Sequence, residues 1–506
     1  MRDRRAGLWV TKEWLAIGLV LGLALILAAL DLRLPHGWGD DFAAYLLQAR
    51  SLIEGHPAAE VALNGELQRA ADWRVGPDAY PWGFPLLMAA AYPFTGWNTG
   101  ALNLIGILAF VYVAGATAVL AKRAGLYFLG TLVAVALTIW QPYLIGAVAE
   151  LASDLPFLAF SVAALLAMDS LMTPSGRARA RWGLVLLAAL LSVCAFAIRS
   201  NGAIVVGTLG FALCLNVAAA YEARGRAITE LVAFVVLAAA GVLAYFKGLP
   251  DGSLVHASYL SLEPSSIIAR LRGHVEALGL LVPIDVLPHV LRPVGVIALV
   301  VLCIGGAWAL GVRGLAFLAY LGGHLLLLTA FKFEGGMRYY FPLLPVIAVL
   351  AVRGASVFYE SLLASTWGRA LRGRPVPGIA AGVLLLGVAG LSTLLALREP
   401  PDPSGPFTPQ SAEMVREVES RFPPDARVSF FKPRVFRWLT GRQGVLIREA
   451  AHLDAVDGVV LHPLVGTEFQ LDRSQVESTG AFDLAWQNEQ FLLYTRKLTQ
   501  PRPARP

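Results

Sequence analysis

Two adjacent carboxylates, Asp40 and Asp41, sit in WGDDFAAYLLQARSLIEG (residues 38–55), a short distance beyond the first long apolar run of the chain. A carboxylate where a chain leaves a bilayer is suited to take a proton from a hydroxyl. Phe42, Tyr45, Leu46, Ala49 and Leu52 follow at helical spacing, which predicts an amphipathic helix along the membrane surface. One of the two acids would serve that helix as its N-cap, a role worth about 1 kcal/mol. Only one residue can cap, so the other still has to be explained.

Four further groups could join this chemistry. A polar stretch with His56, Asp72, Trp73 and Arg74 leads into VGPDAYPWGFPLL, where prolines bracket Trp82, Gly83 and Phe84 just after Tyr80. Taken alone, that segment reads as an interfacial aromatic anchor. In AVAELASDLPFLAF, Glu150 and Asp154 are four residues apart and share one helical face, as supporting acids or as a solvated helix start. Arg199 lies in the turn FAIRSNGAIV. Lys332, Glu334, Arg338, Tyr339 and Tyr340 lie in FKFEGGMRYYFPLLP. A guanidinium among glycines and aromatics at a bilayer surface suits a phosphate, which it can grip bidentately without deprotonating. A lone arginine there could equally snorkel to headgroups.

The elements that must position these residues are membrane spans. With 57% hydrophobic residues, 15% charged residues and a mean hydropathy of +0.63, the 506-residue chain is too apolar for a soluble domain and reads as polytopic. The first span, Trp14–Leu30, follows Arg2, Arg4 and Arg5 as a signal peptide would, but the small-residue cleavage pattern is weak and many spans follow. Further runs lie near 99–121, 126–144, 154–172, 183–199, 203–221, 229–247, 293–311, 314–331, 340–352 and 378–397, giving about eleven transmembrane helices. With the N-terminus in the cytoplasm, the arginine-rich gaps face inward. The two long outward loops, about 31–98 and 248–292, are poor in Lys and Arg. On this topology all five groups fall on the outer side.

The expected fold is mainly α: a membrane domain over 1–398 with interfacial helices in its first outward loop, then a Pro-rich linker (399–410). A small α/β extracytoplasmic domain over 411–506 would follow, separately folded and carrying no catalytic group. Cys194, Cys214 and Cys303 all fall in apolar runs, which excludes a disulfide framework and a cysteine-ligated metal centre. The net charge of +6 is explained by the cytoplasmic arginines, and no nucleic acid is implied.

The acidic pair after the first span, YPWGFPLL, SDLPF, the arginine turn and RYYFPLLP, in that order, resemble the GT-C superfamily of membrane glycosyltransferases. More narrowly, they look like the bacterial branch related to protein mannosyltransferases and lipid A aminoarabinose transferases. The resemblance implies a sugar donor linked to a polyprenyl phosphate, a glycan, lipid or protein acceptor, and a first-loop carboxylate as general base. Alignment on the acidic pair makes that base Asp40. The Asp-x-x-x-Tyr spacing to Tyr45 makes it Asp41, which is preferred. Arg338, Tyr340, Lys332 and Arg199 would then bind the donor phosphate, and Tyr45, Tyr80, Trp82 and His56 would line the substrate cavity. Glu150 and Asp154 would support the site or hold a divalent metal, which no His-rich cluster demands. A single base with an external nucleophile implies an inverting hexosyl- or pentosyltransferase, multi-pass in the bacterial cytoplasmic (inner) membrane, with its tail outside. A lipid-linked glycan polymerase or ligase, or a transporter or flippase, remains the alternative. Against transport stands the lack of an internal repeat of spans.

Overall fold

The computed structural model describes residues 37–173, 178–219, 223–250, 263–281, 292–331, 336–364, 404–464 and 470–497. It also describes Leu260, Gly466 and scattered positions within 14–29 and 380–390. The chain divides into two compact units. The first comprises residues 1–32, 103–248 and 256–399, and the second 33–102, 249–255 and 400–506.

The second unit begins with helix α1 (Asp40–Ile53). Gly39 is its N-cap residue, and neither aspartate caps it: both stand in the first turn, where the helix dipole favours negative charge. Phe42, Ala43, Tyr45, Leu46 and Ala49 are all buried, as are Gln48 and Ser51. Thus α1 is enclosed on nearly every face, where an amphipathic surface helix was expected. Helix α2 (Pro57–Ala70) starts with Pro57 in its first turn, where the missing N–H leaves nothing unsatisfied. Helix α3 (Gly83–Thr95) packs on α1.

The first unit is helical: α4 (Leu104–Arg123), α5 (Phe128–Ile139), α6 (Pro142–Ala149), α7 (Asp154–Met172), α8 (Ala178–Ile198), α9 (Ala203–Ala219), α10 (Arg224–Gly248), α11 (Pro264–Leu281), α12 (Arg292–Ala309), α13 (Val312–Ala330) and α14 (Leu344–Ala364). Among the described residues, eight helices are long and apolar enough to cross a membrane. The pair α5 and α6, bent by 56° at their break, makes nine if counted as one span. The break falls at Pro142, which cannot continue a helix hydrogen-bond ladder, and Gln141 caps α6 by accepting the Leu144 N–H at 2.9 Å. The described positions of the expected span 14–30 are helical, whereas 378–397 lies largely outside the described residues. Small residues let helices approach: a Cβ on Gly306 or Gly354 would fall 2.0 and 1.9 Å from backbone oxygens of Leu350 and Leu302, so α12 and α14 meet backbone to backbone. Buried charges inside this unit are paired, as in Arg181 with Glu230 at 2.7 Å.

The tail returns to the second unit with α15 (Pro409–Arg421), β1 (Arg427–Ser429), α16 (Pro433–Thr440), β2 (Gln443–Val445), β3 (Gly458–Leu461), α17 (Arg473–Ser478), β4 (Phe482–Gln487) and β5 (Leu492–Arg496). The five strands form one sheet in the order β2-β1-β3-β5-β4. Here β1 is parallel to β2 and β3, while β3, β5 and β4 run antiparallel in turn. Thr408 caps α15. The small α/β domain expected from the sequence is therefore present, but it is not a body of its own. Its core of Val445, Val459, Leu461, Val476 and Tyr494 also contains Leu67 of α2, with Leu63 and Ala70 packed against it. The end of the Pro-rich stretch is held as well. Trp38 donates its indole N–H to the Ser404 carbonyl, and the Phe407 ring lies 6.0 Å from that of Phe42. The physical reason is that α1 and α2 leave apolar faces that the sheet and α16 cover.

Candidate functional site

In the second unit the two aspartates point to different partners. One Asp40 carboxylate oxygen accepts the backbone N–H of Arg434 at 3.1 Å, while the other makes no hydrogen bond among the described residues and lies 3.6 Å from Nη1 of the same arginine. Asp40 is only 6% exposed, and burial drives its carboxyl above the ordinary value against the opposing pull of Arg434 and Lys432. Asp41 is half-buried, and its Oδ1 accepts the Tyr80 hydroxyl at 2.5 Å. Burial first, and then the Asp41 charge, holds the Tyr80 phenol well above its ordinary value, so it stays an O–H donor.

Tyr80 is placed by three amide side chains that grip the chain between α2 and α3. Gln48 both donates to the Tyr80 carbonyl and accepts its N–H, each at 2.9 Å. Gln68 does the same for Val75 at 2.6 and 2.8 Å, and Asn64 donates to the Asp78 carbonyl at 2.5 Å. Between them Gly76 adopts a φ of +70°, and a Cβ there would come 3.0 Å from the Tyr80 hydroxyl and 3.1 Å from Arg434 Nη1. The Arg434 guanidinium lies 5.3 Å from the Tyr80 ring centre and also donates to the Pro77 carbonyl. Tyr45 packs between Tyr80 and Phe84, with ring centres at 4.9 and 5.0 Å. Asp40, Asp41, Tyr45 and Tyr80 thus form one cluster.

The first unit gathers another set. Arg199, at the turn between α8 and α9, pairs with Asp154 at the start of α7 and donates to Ser153 Oγ at 3.4 Å. Its guanidinium lies 4.8 Å from the Tyr339 ring centre, and that of Arg338 lies 5.4 Å from the same ring. Two cations therefore flank one aromatic ring. Arg338 is exposed, whereas Tyr340 is buried, with its hydroxyl 2.5 Å from His274 Nδ1. His274 Nε2 lies 2.8 Å from Thr329 Oγ1, and burial lowers the imidazole pKa, so the ring is neutral at pH 7.

The other expected residues are placed less centrally. Trp82 is fully buried and donates its indole N–H to the Pro250 carbonyl at 2.8 Å, which makes it an anchor of the second unit's core. His56 is exposed and sits 2.8 Å from Glu54 at the surface. Glu150 is exposed at the end of α6. Lys332 lies outside the described residues. Among the described residues, no three His, Cys, Asp or Glu side chains converge on a point that could hold a metal ion, and the Asp154 carboxylate is engaged by Arg199.

Two members of the first cluster carried no signal in the sequence reading. Arg434 belongs to a tail in which no active group was expected, and it reaches Asp40 across 394 positions. Gln48 was one polar residue among many on α1. Its value lies in facing the backbone of Tyr80, 32 residues on.

No family model matches the chain, and no curated protein matches it in sequence. Solved structures do. The structure of ArnT from Cupriavidus metallidurans bound to undecaprenyl phosphate superposes with a TM-score of 0.59 at 12% identity, covering 96% of this chain and 98% of that one. The archaeal oligosaccharyltransferase AglB from Archaeoglobus fulgidus, in complex with an inhibitory peptide and a dolichol-phosphate, matches with a TM-score of 0.55 at 10% identity, over 90% of this chain and 70% of that one. Likeness at such identity is a likeness of fold: this chain is a polytopic membrane protein with the fold of the GT-C glycosyltransferases.

Proposed function

We propose that the protein is an inverting glycosyltransferase that moves a sugar from a polyprenyl-phosphate donor to an acceptor hydroxyl at the outer face of the bacterial cytoplasmic membrane. The observation that carries this reading is the contrast between the two aspartates. Asp40 is buried against Arg434, whereas the half-buried Asp41 keeps access to solvent and is oriented by the Tyr80 hydroxyl at 2.5 Å. This supports Asp41 as the base. Support for the donor class comes from the fold neighbours bound to undecaprenyl phosphate and dolichol-phosphate.

In the reaction, the acceptor oxygen attacks the anomeric carbon as Asp41 takes its proton. The bond from that carbon to the phosphate oxygen breaks, and the phosphate leaves with the electron pair. A single displacement inverts the anomeric centre, through an oxocarbenium-like sugar. Arg338, exposed beside Tyr339, would meet the departing phosphate charge. Arg199 is committed to Asp154 and would hold the Tyr339 ring in place.

The direct test uses the full chain in detergent with radiolabelled sugars on polyprenyl phosphate and a mixture of envelope acceptors. Release of polyprenyl phosphate, lost on Asp41→Asn, is the expected result. Donor left intact with every acceptor, together with movement of the same lipid across sealed vesicles, would instead identify a transporter.

A further inference from the structure

The membrane-spanning unit contains a cavity of about 490 Å³ between α4, α7 and α8, within the size range of ligand sites. Ala159, Phe160, Ala163, Leu166, Leu187 and Leu191 supply apolar walls. Tyr112 and Leu187 are 44% and 43% exposed, so the cavity is a groove that opens on the outside of the bundle. From Tyr112 to Arg123 the groove follows α4 for about 16 Å at the rise of an α-helix. That length suits one fatty-acyl chain.

One end of the groove is polar and positively charged. Arg123 and Ser170 line it there. Arg123 Nη1 donates to Ser170 Oγ at 2.6 Å and to the Leu166 carbonyl at 3.1 Å, and lies 3.4 Å from Asp169. Every hydrogen bond of this guanidinium among the described residues runs through Nη1, while the side chain is 41% exposed. The Nε and Nη2 edge is therefore open, and that edge is the one that grips a phosphate bidentately. The acid beneath it is already claimed, since Arg313 Nε also donates to Asp169, at 2.7 Å. Arg181 stands at the same end, where it donates to the Leu171 carbonyl and is paired with Glu230, so among the described residues the three arginines Arg123, Arg181 and Arg313 meet two carboxylates, Asp169 and Glu230.

We propose that this groove binds one anionic phospholipid, with an acyl chain against Ala163 and Leu187 and the phosphate on the open edge of Arg123. Excess cations at the end of an apolar groove between spanning helices are the arrangement that selects an anionic headgroup. The groove is short for a polyprenyl tail, which favours an ordinary acyl lipid as occupant. This inference does not depend on the transferase reading, because no turnover enters its test.

The test is native mass spectrometry of the detergent-purified full chain titrated with phosphatidylglycerol, phosphatidylcholine or undecaprenyl phosphate. One phosphatidylglycerol per chain should bind, about five- to tenfold tighter than phosphatidylcholine. Arg123→Gln should erase that preference and Arg123→Lys should keep part of it. Ala163→Phe fills the groove without touching the polar end, so it should weaken binding even if Arg123→Gln fails to fold. Equal binding of the two phospholipids, preference for undecaprenyl phosphate, unchanged binding in Ala163→Phe, or a lipid-independent dimer lost in that variant would each overturn the proposal.

Discussion

Arg434 donates its backbone N–H to Asp40 at 3.1 Å and holds its guanidinium 3.6 Å from the same carboxylate, with both side chains at most 5% exposed. This buried pair ties the start of α1 to α16 and leaves the neighbouring Asp41 to Tyr80.

The two aspartates should therefore fail in different ways. Asp41→Asn keeps size and removes the base, so turnover should fall about 10²-fold or more while the melting temperature barely moves. Asp40→Ala leaves Arg434 buried without its carboxylate and should cost about 3–5 kcal/mol of stability. The same stability loss in both variants, with no separate loss of turnover, would remove Asp41 from the mechanism.

Asp40 also predicts a pH dependence. Burial raises its folded-state pKa above the unfolded value, so between the two values the folded protein binds more protons than the unfolded chain. Its contribution to stability is full below the ordinary aspartate range and declines as pH rises through the raised value. Thermal unfolding of Asp40→Asn should lack that decline, and an identical pH slope in both proteins would refute the assignment.

Tyr80 should act through placement. Tyr80→Phe removes the hydroxyl that orients Asp41 and should lower turnover about tenfold, the value of a hydrogen bond to a charged group. Gly76→Ala forces a side chain into a φ of +70° and against Tyr80 and Arg434, so it should destabilise by about 1–2 kcal/mol and reduce turnover as well. Calorimetry alongside kinetics separates the two effects: full activity in Tyr80→Phe would leave Asp41 without an orienting partner.

The arginines divide in the same manner. Arg338→Ala should weaken donor binding with little change in unfolding, because the residue is exposed, and Arg338→Lys should retain part of the affinity. Arg199→Ala strands the buried Asp154 and should lose about 3–5 kcal/mol. Donor affinity that is untouched by both Arg338 variants would move phosphate recognition to another group.

A tail expressed alone should be compromised. Residues 404–497 would lose Leu67 from their core, together with the Glu60 and Glu66 partners of Arg437 and Arg427 and the Asp72 carboxylate that accepts the Arg448 and Glu449 backbone N–H groups. Denaturant titration should show a weak, broad transition that sharpens when residues 37–102 are supplied. A sharp transition for the tail alone would restore it as an independent domain.

The sequence by itself determined the local order of the chain. Hydrocarbon thickness imposes long apolar runs, so helices such as α4, α7 and α10 were legible as spans from composition alone. The acidic pair, the arginine turn before α9 and the RYYF segment were equally visible, because type and spacing mark them. Tertiary structure decided which of them meet. Nothing near Arg434 points to Asp40, and nothing near Leu67 announces that its partners are Val445 and Val459. Local periodicity records which face of an element is apolar, but not what will cover it. What distinguishes Asp40 from Asp41 is that cover: α16 buries the first carboxylate and leaves the second half-open, and burial raises the Asp40 carboxyl above its ordinary value.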